Sequence, residues 1–204
     1  EPEPEPSPLL GTVIINELAW AGTHASPTDQ WIELYNRAAF DVDLSALYLK
    51  IGDTAPVPLS GTLASGRYVI LQRTGTTIKS IGFPDVVTVG FAPLSAEPLQ
   101  VSLVLTDGTV IDATPAADAC GGTWCAGGAT TMVYADSLGV PTSVSMERID
   151  IEDGTDPDNW ANNDGYTRYH LDAAHQPIIG TPGNQNSKHW PLTGFFCGNE
   201  DVLT

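Results

Sequence analysis

Residues 150–158 read Asp-Ile-Glu-Asp-Gly-Thr-Asp-Pro-Asp, five carboxylates in nine positions around one glycine. Calcium takes oxygen ligands from closely spaced carboxylates, and its loops need a glycine where the chain turns sharply. Asp150, Glu152, Asp153, Asp156 and Asp158 are therefore candidate calcium ligands. The spacing lacks the distal glutamate of an EF-hand loop, and a solvated acidic loop competes as a reading of the same residues. Glu17 and Glu33 form a second carboxylate pair, this time in strand-like segments. Paired carboxylates perform acid–base work when a reacting group is brought to them. Nothing in the sequence brings a nucleophile, a histidine or a metal to this pair. Their expected role is to hydrogen-bond neighbouring backbone or to face solvent.

The remaining chemistry-bearing residues are scattered. His24, His170, His175 and His189 fall among loops, and the pair five residues apart has no local Glu or Cys to complete a zinc motif. No Gly-x-Ser-x-Gly elbow is present. No catalytic site is recognisable, and the chain reads as a non-enzyme. Trp20, Trp31, Trp124, Trp160 and Trp190 would make a carbohydrate platform if exposed, but in a β-sandwich they are expected in or over the core. Cys120 and Cys125 bracket Gly-Gly-Thr-Trp, a short loop suited to a local disulfide, which would imply an oxidising compartment. Two cysteines at that spacing without a second pair are a weaker zinc signal. Cys197 is left over.

Charge narrows the partners. Eight Lys and Arg stand against 25 Asp and Glu, a net charge of −17, so the surface repels phosphate backbones and anionic membranes. Nucleic acid is excluded as a partner on this ground. No apolar run approaches the roughly 20 residues of a membrane-spanning helix. The chain opens Glu-Pro-Glu-Pro-Glu-Pro-Ser-Pro, a stiff acidic segment of the kind that tethers one thing to another.

The elements that carry these side chains must be short, because 20 Gly and 16 Pro punctuate the chain too often for long helices. Between them lie runs rich in Val, Ile, Leu, Thr and Tyr, expected as strands: 12–19, 30–36, 44–51, 67–72, 86–89, 100–105, 110–113 and 143–149. In the second run Ile32 and Leu34 fall on one face, and Trp31, Glu33 and Tyr35 on the other. Asp107-Gly108 between two apolar runs is a strong hairpin signal, since both residues tolerate positive φ. Many short strands at this spacing predict an all-β sandwich or barrel. From about residue 150 onward the sequence reads mostly as loop, with an apolar patch at 190–196.

Several segments, in order, resemble the lamin-tail domain of secreted bacterial proteins. They are Ile14-Ile15-Asn16-Glu17-Leu18, Asp29-Gln30-Trp31-Ile32-Glu33-Leu34-Tyr35-Asn36, residues 41–49 and residues 63–71. Later come Ser145-Met146-Glu147-Arg148, residues 154–160 and Gly180-Thr181-Pro182-Gly183-Asn184-Gln185-Asn186. Residues 120–139 depart from the compact family pattern. The resemblance implies an immunoglobulin-like β-sandwich over 11–188, preceded by an extended linker at 1–10 and followed by a tail at 189–204. It implies no chemistry, because function lives in sites grafted on folds.

These readings together predict a non-catalytic extracellular or cell-surface module. The expectation is a structural or adhesive one that associates with copies of itself or with other surface proteins. The alternative is an accessory substrate- or partner-binding domain of a secreted hydrolase. Leu9 and Leu10 at one end, and Phe195 and Phe196 at the other, are the candidate interface residues.

Overall fold

The computed structural model describes residues 9–75, 86–95, 97–131 and 141–188. Across them the chain is nearly all-β. The strands are β1 (Val13–Ala19), β2 (Trp31–Asn36), β3 (Val42–Asp43), β4 (Leu47–Ile51), β5 (Val57–Pro58), β6 (Thr62–Leu63) and β7 (Tyr68–Gln72). They continue with β8 (Val86–Thr88), β9 (Val101–Leu105), β10 (Val110–Ala113), β11 (Gly128–Thr131), β12 (Pro141–Val144), β13 (Met146–Arg148) and β14 (Trp160–Asn162). Two single turns of 3-10 helix, Leu44–Ala46 and Pro157–Asn159, are each started by an aspartate, Asp43 and Asp156, whose carboxylate accepts the N–H two residues on.

Two sheets make the sandwich: a six-stranded one in the order β14-β13-β1-β2-β7-β8, and a four-stranded one in the order β10-β9-β4-β5. Alternation along each strand decides what lies between them. β4 buries Leu47, Leu49 and Ile51 while Tyr48 and Lys50 face outward. Those buried side chains meet Val13, Ile15, Leu18, Ile32 and Leu34 of the larger sheet in one core. The split of β2 into an inward Ile32/Leu34 face and an outward Trp31/Glu33 face is as the alternation predicts.

Three local expectations shift. Residues 44–46 coil into the 3-10 turn, so β4 begins only at Leu47. The expected run 143–149 breaks at Ser145, whose N–H turns to Ile179 O. In the 105–110 hairpin only Gly108 takes positive φ (87°). Asp107 does not, and its carboxylate accepts the Thr109 N–H instead, giving a longer, bulged turn closed by Leu105 N–H to Thr109 O.

The central strand β1 contains a bulge. Ile15 pairs with Leu34 and Glu17 with Glu33, so Asn16 is an extra residue opposite no partner. Without that bulge Ile15 and Glu17 would share a face. With it, Ile15 and Leu18 both point into the core and Glu17 is turned to the other side.

Candidate functional site, a buried glutamate row

The bulge completes a line of like residues. Glu147 on β13, Glu17 on β1 and Glu33 on β2 are direct cross-strand neighbours on the outer face of the six-stranded sheet. Directly opposed side chains sit about 5 Å apart at Cβ, where like charges repel. All three are fully buried, at 0% exposure.

What buries them is residues 177–188, folded over this face. Ile178 packs with Ala19, Trp31 and Ile70 in a small second core beside the row. Val144 forms a parallel bridge with Ile179. Beyond it the segment delivers donors in sequence. Thr181 N–H donates to Glu17 Oε1 at 2.9 Å. Gly183 N–H donates to Glu33 Oε2 at 2.5 Å. Ser187 gives both its N–H (2.9 Å) and its hydroxyl (2.5 Å) to Glu147 Oε2. Asn163 Nδ2 donates to Glu147 Oε1 at 2.6 Å, and the bulge residue Asn16 donates from Nδ2 to Glu33 Oε1 at 2.7 Å. Asn186 locks the far end, its Nδ2 donating to Arg148 O (2.7 Å) and Asn16 O (3.0 Å). Gly180 is required by close approach: a Cβ there would lie 2.6 Å from Glu17 Oε1 and 3.0 Å from Ser145 Oγ.

Counting protons assigns the charge states. Thr181 Oγ1 lies 3.1 Å from both Glu17 Oε2 and Glu147 Oε1 and 3.2 Å from Asn186 Oδ1, yet it carries a single hydrogen. Both carboxyl contacts become hydrogen bonds only when one carboxyl is protonated and donates to that hydroxyl. Glu147 accepts donors on both oxygens, so Glu17 is the carboxyl placed to donate. Burial, then the charges of Glu147 and Glu33, hold Glu17 well above the usual carboxylate range, against a lowering pull from Ser145 and the Thr181 N–H. Burial likewise raises Glu33, to about 8, despite the bonds from Gly183 and Asn16. The charges acting on Glu17 and Glu33 are those of neighbouring glutamates. The one ion pair among the described residues is Arg148 Nη1 to Asp112 Oδ2 at 2.7 Å, which ties β13 to β10 across the sandwich. Asp112 also accepts the Ile15 N–H that the bulge leaves free, at 2.7 Å. The row is thus a buried clamp that holds the closing segment and can share a proton.

The other candidates fare differently. The acidic loop does not converge on a metal: Asp150 accepts the Glu152 N–H, Asp153 the N–H and hydroxyl of Thr155, and Asp156 the Asp158 N–H. Among the described residues no group of three or more His, Cys, Asp or Glu side chains is placed to hold a metal ion. The carboxylates of Asp150, Asp153 and Asp156 are engaged in turns of the loop's own backbone, so Asp150, Glu152, Asp153, Asp156 and Asp158, the candidate calcium ligands, do not stand as a ready-made cluster. Cys120 and Cys125 form the expected disulfide. Trp31, Trp124 and Trp160 are buried and Trp20 stacks on Trp124 at 5.7 Å, so these four make no platform. Leu9 packs against the main core, whereas Leu10 is 54% exposed. Phe195, Phe196, Cys197, His189 and Trp190 lie outside the described residues.

Glu147, Asn16, Thr181 and Asn186 are the site residues that reasoning from spacing missed. The available signal was order rather than spacing: four of the segments that carry the lamin-tail resemblance meet at this one row. No protein-family model and no curated protein matches the chain. Among the described residues no helix is long and apolar enough to cross a membrane.

Proposed function

We propose that the chain is a non-catalytic structural module of the lamin-tail type, an immunoglobulin-like sandwich that works outside the cell as a self-associating subunit of a bacterial surface or secreted assembly. One observation carries the non-catalytic part. The cluster best suited to acid–base chemistry is fully buried and spends its oxygens on the segment that closes the domain. A catalytic carboxylate has to touch substrate; these three touch only the fold. The convergence of four family-like segments on the row supports the lamin-tail reading, and the Cys120–Cys125 disulfide supports an oxidising location. Self-association is supported by β10, which among the described residues is an edge strand paired in the sheet with β9 and exposes Val110 at 50%, and by Leu10, exposed at 54%. Sedimentation velocity of the full chain from micromolar to millimolar concentration tests this. The expected result is a concentration-dependent oligomer. A strict monomer across that range removes the assembly reading and leaves only a structural module.

A further inference from the structure

The outer face of the four-stranded sheet carries a groove of about 430 Å3. Strand register sets Val110, Val104 and Tyr48 side by side across β10, β9 and β4. Lys50 stands two residues along β4, opposite Ser102, and Pro56 and Gln100 complete that end. The lining is therefore mixed: one aromatic ring, Tyr48, and apolar Pro56, Val104 and Val110 lie beside the polar Gln100, Ser102 and Thr106, with Lys50 as its one cation. It includes no carboxylate, in a chain that has 25 of them. Two acidic residues lie in the adjoining turns: Asp107, whose carboxylate accepts the Thr109 N–H, and the exposed Asp53 between Lys50 and Pro56. At the β10 edge the chain preceding β1 arrives beside this groove, since Gly11 N–H reaches Ile111 O at 3.4 Å.

We propose that the groove seats residues 1–8, Glu-Pro-Glu-Pro-Glu-Pro-Ser-Pro, of a second copy of the chain. This rests on the proposed self-association and names the surface that receives it. Charge selects the occupant: on a molecule of net charge −17, a patch with a lysine and no carboxylate is the place an acidic segment is not repelled. Shape selects it too. A segment with proline at every second position favours the polyproline form, rising about 3.1 Å per residue, and such helices dock their prolines on aromatic-lined grooves. The same prolines lack N–H donors, so the segment cannot extend the β10 edge as a regular strand and needs a face instead.

Two variants separate donor from acceptor. Deleting residues 1–8 removes the donor and keeps the groove; Lys50→Glu keeps the donor and reverses the charge of the groove. Both changes lie outside the core, and unchanged far-ultraviolet circular dichroism verifies the fold, with Lys50→Ala as a second groove variant. By sedimentation velocity each variant alone should be monomeric where the full chain assembles. An equal mixture should form one-to-one dimers, because each supplies what the other lacks. A synthetic peptide of residues 1–8 should bind the deletion variant, and Lys50→Glu in that background should weaken it at least tenfold. If both variants assemble like the full chain, this inference is wrong and self-association stands. If both are monomeric but the mixture does not pair, the segment and groove do not meet and the inference is equally wrong. A peptide that binds the deletion variant while the full chain stays monomeric throughout would show the groove filled within one molecule, which overturns the second-copy occupant and the assembly reading together.

Discussion

At the scale of single residues, the glutamate row makes opposite demands on neighbouring carboxyls. Glu17 Oε1 accepts from Thr181 N–H while its Oε2 faces a hydroxyl that can accept. An amide fits both contacts, so Glu17→Gln should fold with near-unchanged stability. Glu147 receives donors on both oxygens, and an amide NH2 there would face one of them. Glu147→Gln should cost about 1–3 kcal/mol, the penalty of a buried polar group left without its bond. Thermal melts of the two variants decide this; equal losses would refute the proton assignment. The pH dependence arises from the same groups. Glu17 and Glu33 have folded-state pKa values above their ordinary 4.5, that of Glu33 reaching about 8. The folded state holds their protons more tightly than the unfolded chain, so the stability they contribute is full below the unfolded value and is lost as pH rises through about 8. Between about pH 5 and about pH 9 the melting temperature should fall, most steeply as pH approaches 8. Glu17→Gln should flatten that slope. A wild-type profile that is level or rises over this interval would refute the account. Gly180→Ala, which drives a methyl to within 2.6 Å of Glu17 Oε1, should cost about 1–3 kcal/mol by overpacking.

At the scale of elements, the loop closed by Cys120 and Cys125 is held twice. The disulfide spans a sequence separation of five residues, and a loop that short gives up about 2 kcal/mol of closure entropy in the unfolded chain. Independently, Trp124 inside it donates from Nε1 to Ser95 O at 2.8 Å, and Trp20, stacked on it, donates to Ala126 O at 2.9 Å. Cys120→Ser with Cys125→Ser should therefore lower the melting temperature by roughly 4–8 °C while leaving the tryptophan near-ultraviolet dichroism in place. Loss of that signal would mean the disulfide, rather than the stacked indoles, positions the loop.

For the whole molecule, the decisive contacts are long-range. Residues 177–188 meet β1 across 164 to 170 positions of sequence, at Thr181 with Glu17 and Asn186 with Asn16. Opening that segment alone would bare three clustered carboxyls and the outer face of Trp31, which is 0% exposed. The cost makes partial opening unfavourable, so cover and sandwich should unfold together. Denaturant curves followed by far-ultraviolet dichroism and by tryptophan fluorescence should share one midpoint. Two separated transitions would show that the cover is a detachable strap.

Much of this protein was legible before any contact was known, wherever the determinant is local. Glycine and proline spacing, β-branched runs and the alternation in residues 31–35 establish an all-β chain and even the inward face of β2. The disulfide between residues five apart and the hairpin at Asp107-Gly108 are local as well. The acidic loop was legible only as a run of carboxylates: whether each turns to the N–H two residues on depends on backbone angles that composition does not encode. Only the tertiary structure decided the site. Glu147, Glu17 and Glu33 become neighbours through strand order, and Glu17 joins the row because Asn16 is bulged out, a shift of one residue that moves a side chain to the opposite face of a sheet. The donors that then make three buried carboxyls tolerable arrive from the far end of the chain. No periodicity within a strand can carry that information, since it resides in the register between segments.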